Sequence, residues 1–151
     1  MDDGCLACDL TAGRVPLPGG LIFCTSWWLV EHCVGSLGLG TLILKPERHV
    51  TAVADLTDAE AAELGPLLRD ASRVARQLVA AEQVYNCLWS HSGGVPGHIH
   101  YVVQPVTRAQ MRDFGVYGPR LQERMFATGV TAAEAEIEAV SDEARRAFAS
   151  L

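Results

Sequence analysis

Gly97-His98-Ile99-His100-Tyr101-Val102-Val103-Gln104-Pro105 decides how this chain is read. β-branched and aromatic residues dominate it, and proline ends it, so it reads as a strand. In a strand, alternate side chains share a face. His98, His100, Val102 and Gln104 therefore point one way, and Ile99, Tyr101 and Val103 point the other way, into a core. Two imidazoles on one face suit chemistry or metal binding; a wet strand face is the plain alternative. A Ser-Gly-Gly-Val-Pro-Gly loop (92–97) precedes the strand, and Val84–Trp89 reads as its hairpin partner.

Working outward, Leu21–Thr25, Trp27–Cys33 and Gly40–Leu44 are short β-prone runs, the first two close enough for a tight hairpin. The third stops at Lys45-Pro46. Residues 10–20 read as loop. Thr57-Asp58-Ala59-Glu60 has the form of a capping box and opens a helix that fades near Ala81, with Gly65-Pro66 expected to interrupt it, either by a kink or by ending a first short turn. Thr131-x-x-Glu134 has the same form and opens a C-terminal helix striped by Ile137, Val140, Ala144 and Phe148. Residues 107–130 are ambiguous. Strands, helix, strands, helix is the order of an α+β fold with a largely antiparallel sheet. At 151 residues the chain reads as one domain, with a core over about 5–106 and a helical extension over about 107–151.

Cys5-Leu6-Ala7-Cys8 presents two thiols at a spacing suited to one zinc ion; a redox pair or a chance pair are the rivals. The loop-forming residues expected after Cys8 do not supply the strand-then-helix setting of a thioredoxin-like site. His49, just past Pro46, and His98 would complete a closed Cys2His2 structural site.

These segments together resemble the histidine triad (HIT) superfamily, whose signature alternates three histidines with apolar residues and is often followed by proline. The resemblance covers residues 5 to about 105. It takes in Cys5-x-x-Cys8, Leu44-Lys45-Pro46-Glu47-Arg48-His49, Ala54-Asp55-Leu56-Thr57 and the strand quoted first. It implies a HIT-like domain: an antiparallel sheet with a long helix, here carrying an extra C-terminal helix. It implies that His100 is the nucleophile that attacks an α-phosphorus to form a nucleotidyl-histidine. It implies that Gly93 and Gly94 approach the phosphates. In the galactose-1-phosphate uridylyltransferase branch it matches Cys5, Cys8, His49 and His98 to the ligands of a structural Zn2+. Substrates would be dinucleoside polyphosphates, phosphoramidates or nucleotide sugars, and a homodimer is expected.

The chain departs from that pattern at Val102, where the third histidine stands in the family. Valine cannot hydrogen-bond a phosphate oxygen or a leaving group. Gln104, two residues on and on the same face, is the available substitute. Gly94-Val95 replaces the usual Gln-Ser/Thr pair. Two alternatives follow: a HIT-like zinc protein that binds a ligand or partner without turnover, or a zinc-stabilised enzyme with non-phosphoryl chemistry in the same pocket.

The remaining candidates have plain readings. His91 is expected in a solvated loop and His32 on a strand surface. Cys24, Cys33 and Cys87 are expected as small buried residues. Trp27, Trp28 and Trp89 fit core or dimer contacts. Arg108, Arg112, Arg120 and Arg124 fit a solvated surface.

A net charge of −6 argues against nucleic acid as a partner, and no apolar run is long enough for a membrane span. Met1-Asp2-Asp3-Gly4 lacks the apolar stretch of a signal peptide, so a cytoplasmic protein is expected. Between Glu82 and Asp113 no acidic residue occurs, and that window contains His91, His98 and His100. A small nucleotide-like substrate suits such a window.

Overall fold

A computed structural model describes residues 4–151; the acidic start at Met1–Asp3 lies outside them. The elements run α1 (Leu6–Thr11), β1 (Leu21–Cys24), β2 (Trp28–His32), β3 (Leu42–Pro46), α2 (Asp58–Leu78), β4 (Gln83–Ser92), β5 (Val95–Val106), α3 (Arg108–Phe114), α4 (Pro119–Ala127) and α5 (Glu134–Phe148). The five strands form one antiparallel sheet in the order β1-β2-β3-β5-β4. The fold is therefore the expected α+β arrangement.

The alternation read in β5 is observed. Val103 and Tyr101 face α2 and pack in the main core with Trp28, Leu44, Leu67, Ala71 and Val74. On the opposite face Val102 packs with Cys33, Leu37 and Ile43, beside Cys87 and Trp89. One sheet face thus builds the core against α2 and α5, and the other carries the candidate site.

Helix α2 begins as expected. Thr57 Oγ1 accepts from the Glu60 amide at 3.2 Å, and Glu60 Oε2 accepts from the Thr57 amide at 2.7 Å. The expected break at Gly65-Pro66 does not end it. Pro66 lies on the exposed face, where the carbonyl that loses its partner is solvated, while Leu67, Ala71, Val74 and Ala75 hold the other face to the sheet.

Three local expectations are corrected, and the ambiguous stretch over 107–130 is resolved. Residues after Cys8 continue as helix α1 to Thr11, so the loop starts later. The 92–97 loop is only a two-residue turn: Gly93 and Gly94 both have positive φ, at 60° and 84°, which lets the hairpin ladder run on to Ser92 and Val95. Thr131 does not cap the last helix; Ala133 does, with Glu136 Oε2 accepting from its amide at 3.0 Å. Residues 107–130 hold two helices, α3 opened by a Thr107–Gln110 capping box and closed by Gly115 at φ 65°. Helix α5 is part of the main core: Ala144 and Phe148 enter it, and Phe148 stacks on Phe23 at 4.6 Å between ring centroids.

Candidate metal centre and adjoining cavity

Cys5, Cys8, His49 and His98 converge, with one donor atom from each lying within 4.8 Å of the others. Three separate elements deliver them. Cys5 and Cys8 sit at the start of α1, His49 follows β3, and His98 lies in β5. The strand expected to stop at Lys45-Pro46 stays paired with β2 through Pro46; beyond Leu44 its ladder with β5 ends, yet the chain stays beside β5, where the Ile99 amide donates to the Val50 carbonyl at 2.8 Å. That bond brings His49 against His98, with ring centroids 5.1 Å apart.

The geometry fits zinc. Cys8 Sγ lies 3.4 Å from His49 Nδ1 and 3.6 Å from His98 Nδ1. Bond lengths of roughly 2.3 Å to sulfur and 2.0–2.1 Å to nitrogen give a tetrahedral S–N edge of roughly 3.5 Å. His98 Nε2 lies 2.9 Å from the Pro46 carbonyl oxygen. A carbonyl only accepts, so Nε2 carries the proton and Nδ1 keeps a lone pair for a metal. Burial holds the His98 imidazole neutral, pulling its pKa down to about 4. Burial also raises the pKa of Cys8.

A cavity of about 570 Å3 adjoins this cluster. His100 lines it, as do Trp89, His91, Val95, Pro96, Val102, Val34 and Phe126. His100 Nδ1 lies 3.1 Å from the His98 carbonyl oxygen and so donates to it, which leaves Nε2 as the basic nitrogen. Burial lowers the His100 pKa, keeping the ring neutral near pH 7. Trp89 stands beside it, with ring centroids 6.4 Å apart, and makes an edge contact with Phe126 at 5.1 Å.

Other candidate residues lie elsewhere. Gly93 and Gly94 are exposed at the hairpin tip and are not among the cavity-lining residues. Gln104 is fully buried and is not among the cavity-lining residues, with Nε2 donating to the Leu37 carbonyl at 2.9 Å and to Met125 Sδ at 3.3 Å. Val102 is buried in the cavity wall. His91, expected in a loop, instead lies in β4 opposite Pro96, because the hairpin ladder runs past it; it is exposed and lines the cavity.

Two plain readings are corrected. His32 is buried, not on the surface: the Gly40 amide donates to its Nε2 at 3.0 Å, and its Nδ1 donates to the Cys33 carbonyl at 2.8 Å. It braces the β2–β3 connection. Cys24 is exposed, whereas Cys33 is buried and Cys87 half-buried.

A buried ion pair was not anticipated. Lys45 Nζ lies 2.8 Å from Glu31 Oε2 and donates to Glu31 Oε1 and to the Ala7 carbonyl, each at 2.9 Å. Both residues line the cavity, so the site's charge is not set by the acid-free window alone. The available signal was one charge in each of two otherwise apolar strands. Register makes these charges diagonal neighbours on one face, since Glu31 opposes Ile43 and Lys45 opposes Leu29.

No family model matches the sequence, and no curated protein matches it in sequence. Solved structures do match in fold. A HIT-like protein involved in cell-cycle regulation from Bartonella henselae superposes with a TM-score of 0.73 at 11% identity, covering 97% of this chain and 98% of that one. A hypothetical histidine triad nucleotide-binding protein from Sulfolobus tokodaii gives 0.73 at 15% identity, over 97% of this chain and 93% of that one. A zinc-bound histidine triad protein from Mycobacterium smegmatis gives 0.68 at 16% identity, over 97% and 94%. A five-stranded antiparallel sheet, a long helix packed on its inner face and agreement over nearly the whole chain mean that this protein has the histidine triad fold.

Proposed function

We propose that this protein binds a nucleotide and hydrolyses or transfers its nucleotidyl group, using His100 as nucleophile at the α-phosphorus of a dinucleoside polyphosphate, phosphoramidate or nucleotide sugar. The observation that carries this reading is the orientation of His100: Nδ1 is committed to the His98 carbonyl at 3.1 Å, and the ring lines the cavity. The Nε2 lone pair forms the N–P bond while the bond to the leaving group breaks, and that group departs with the bonding pair. Water or another acceptor hydroxyl then attacks phosphorus and releases its proton to solvent or to the departed group, and the N–P bond breaks with its electron pair returning to Nε2 to restore neutral His100. Cys5, Cys8, His49 and His98 would hold Zn2+, which would cross-link α1, the segment after β3 and β5 behind the nucleophile. The same reading carries a cytoplasmic homodimer; among the described residues no helix is long and apolar enough to cross a membrane.

The test is incubation with adenosine 5′-phosphoramidate and with a dinucleoside polyphosphate, wild type beside His100→Ala. Nucleotide release and a nucleotidyl adduct by intact mass are expected only in the wild type; neither in the wild type overturns turnover.

A second reading is binding without turnover. It is favoured by the surroundings of His100: Val102 holds the third triad position, and the Gln104 amide nitrogen is committed to the Leu37 carbonyl and Met125 Sδ. Nucleotide binding by calorimetry without release of product would select it.

A further inference from the structure

We propose that Lys45 is a positioning residue for the metal centre, acting by pinning the Cys5–Cys8 turn to strand β3. The inference rests on reading Cys5, Cys8, His49 and His98 as zinc ligands. Lys45 is fully buried, and its ammonium group meets the Glu31 carboxylate and the carbonyl of Ala7, the residue just before Cys8.

Stability alone does not account for a charge there. A buried ion pair is often replaceable by apolar residues of similar volume with no loss of stability. The bond to Ala7 is what an apolar pair cannot reproduce. It is a charge-assisted contact to backbone inside the cysteine turn, and Glu31 compensates the ammonium group that makes it. The next residue completes the device, since the Pro46 carbonyl fixes the His98 ring. The dipeptide Lys45-Pro46 therefore orients both halves of the ligand set: the cysteine turn through a side chain, and a histidine through a carbonyl. His49 follows three residues later on the same segment. Outer partners of this kind govern how well first ligands are presented to a metal.

The test uses the full chain and zinc itself, with affinity read by competition against a chromophoric chelator. Lys45→Met leaves Glu31 buried and alone, so the informative variant is Lys45→Met with Glu31→Met. It is expected to keep a thermal midpoint near that of the wild type when both are metal-free, yet to bind zinc on the order of tenfold to a hundredfold more weakly. Val74→Ala, a core change on the far sheet face, is expected to lower the midpoint and leave zinc affinity unchanged. Wild-type zinc affinity in the double variant overturns the proposal. So does an equal loss in Val74→Ala, and so does failure of the double variant to fold, because the pair would then be holding the fold rather than the turn. Absence of zinc binding in the wild type overturns the ligand reading instead, and is seen before any variant is made.

Discussion

His98 and Pro46 are joined by a 2.9 Å hydrogen bond from the imidazole Nε2 to the backbone carbonyl oxygen. The bond fixes the His98 tautomer and turns Nδ1 toward Cys8 Sγ, 3.6 Å away. A histidine so arranged cannot serve as a nucleophile toward the cavity, whereas His100, two residues on, can. In the function proposed above, adjacent positions on one strand face are thereby divided between metal and reaction.

The first expectation concerns the metal. Elemental analysis of purified protein is expected to find one zinc per chain in the wild type, with strong depletion in Cys8→Ser and His98→Ala. Treatment of the wild type with a strong chelator is expected to lower its thermal midpoint. Undiminished zinc in Cys8→Ser would remove it from the ligand set.

The second concerns the cavity wall. Trp89 stands beside His100 and contacts Phe126 edge-on. Trp89→Ala is expected to weaken nucleotide binding about tenfold, the equivalent of about 1.4 kcal/mol, within the range of a lost aromatic contact. Calorimetric titration with a nucleoside monophosphate measures it; unchanged affinity would place the ligand away from Trp89.

The third concerns pH. Arg48 Nε and Nη2 donate to the two Glu60 oxygens at 2.6 and 2.7 Å. Those bonds, with the Thr57 amide, hold the Glu60 pKa down at about 2. A depressed carboxylate contributes stability that is present above its unfolded pKa, near 4.5, and lost as pH falls toward 2. Glu60→Gln is expected to cost about 2 kcal/mol at pH 7, less than the full shift implies because the Arg48 side chain is 46% exposed. Its stability should also change less between pH 4.5 and 2 than that of the wild type. Denaturant unfolding at several pH values provides the comparison, and parallel curves would contradict it.

The fourth concerns the last helix. Phe148 is buried and stacks on Phe23 at 4.6 Å. Phe148→Ala is expected to destabilise the protein by about 3–5 kcal/mol, the usual range for a buried phenylalanine. A loss below about 1 kcal/mol would make α5 an appendage rather than a part of the core.

The β5 segment was legible because a strand's side-chain period is two: once its core face was read, the placement of His98 and His100 on the opposite face followed. The Thr57 capping box was legible for a similar reason, since donor and acceptor are three residues apart. The Thr131 box failed because the same short pattern recurs by chance, and the observed cap uses Glu136 instead. The Thr107 box lies in the stretch over 107–130 that is ambiguous in sequence, although Thr107-x-x-Gln110 has the required form.

From sequence alone came the α+β class, the two faces of β5 and the four residues able to ligate a metal, because each depends on local spacing or on side-chain chemistry. Only the tertiary structure decided that Cys8 lies within 3.6 Å of both His49 and His98, that Gly93 and Gly94 form an exposed hairpin tip, that Gln104 is buried with its amide nitrogen on the Leu37 carbonyl, and that Lys45 reaches Glu31 and Ala7. Those outcomes depend on which strands pair and in which register, and on which side chains the packed interior leaves without water. Both are set by contacts between residues far apart in the chain, and such contacts leave no periodic trace in it.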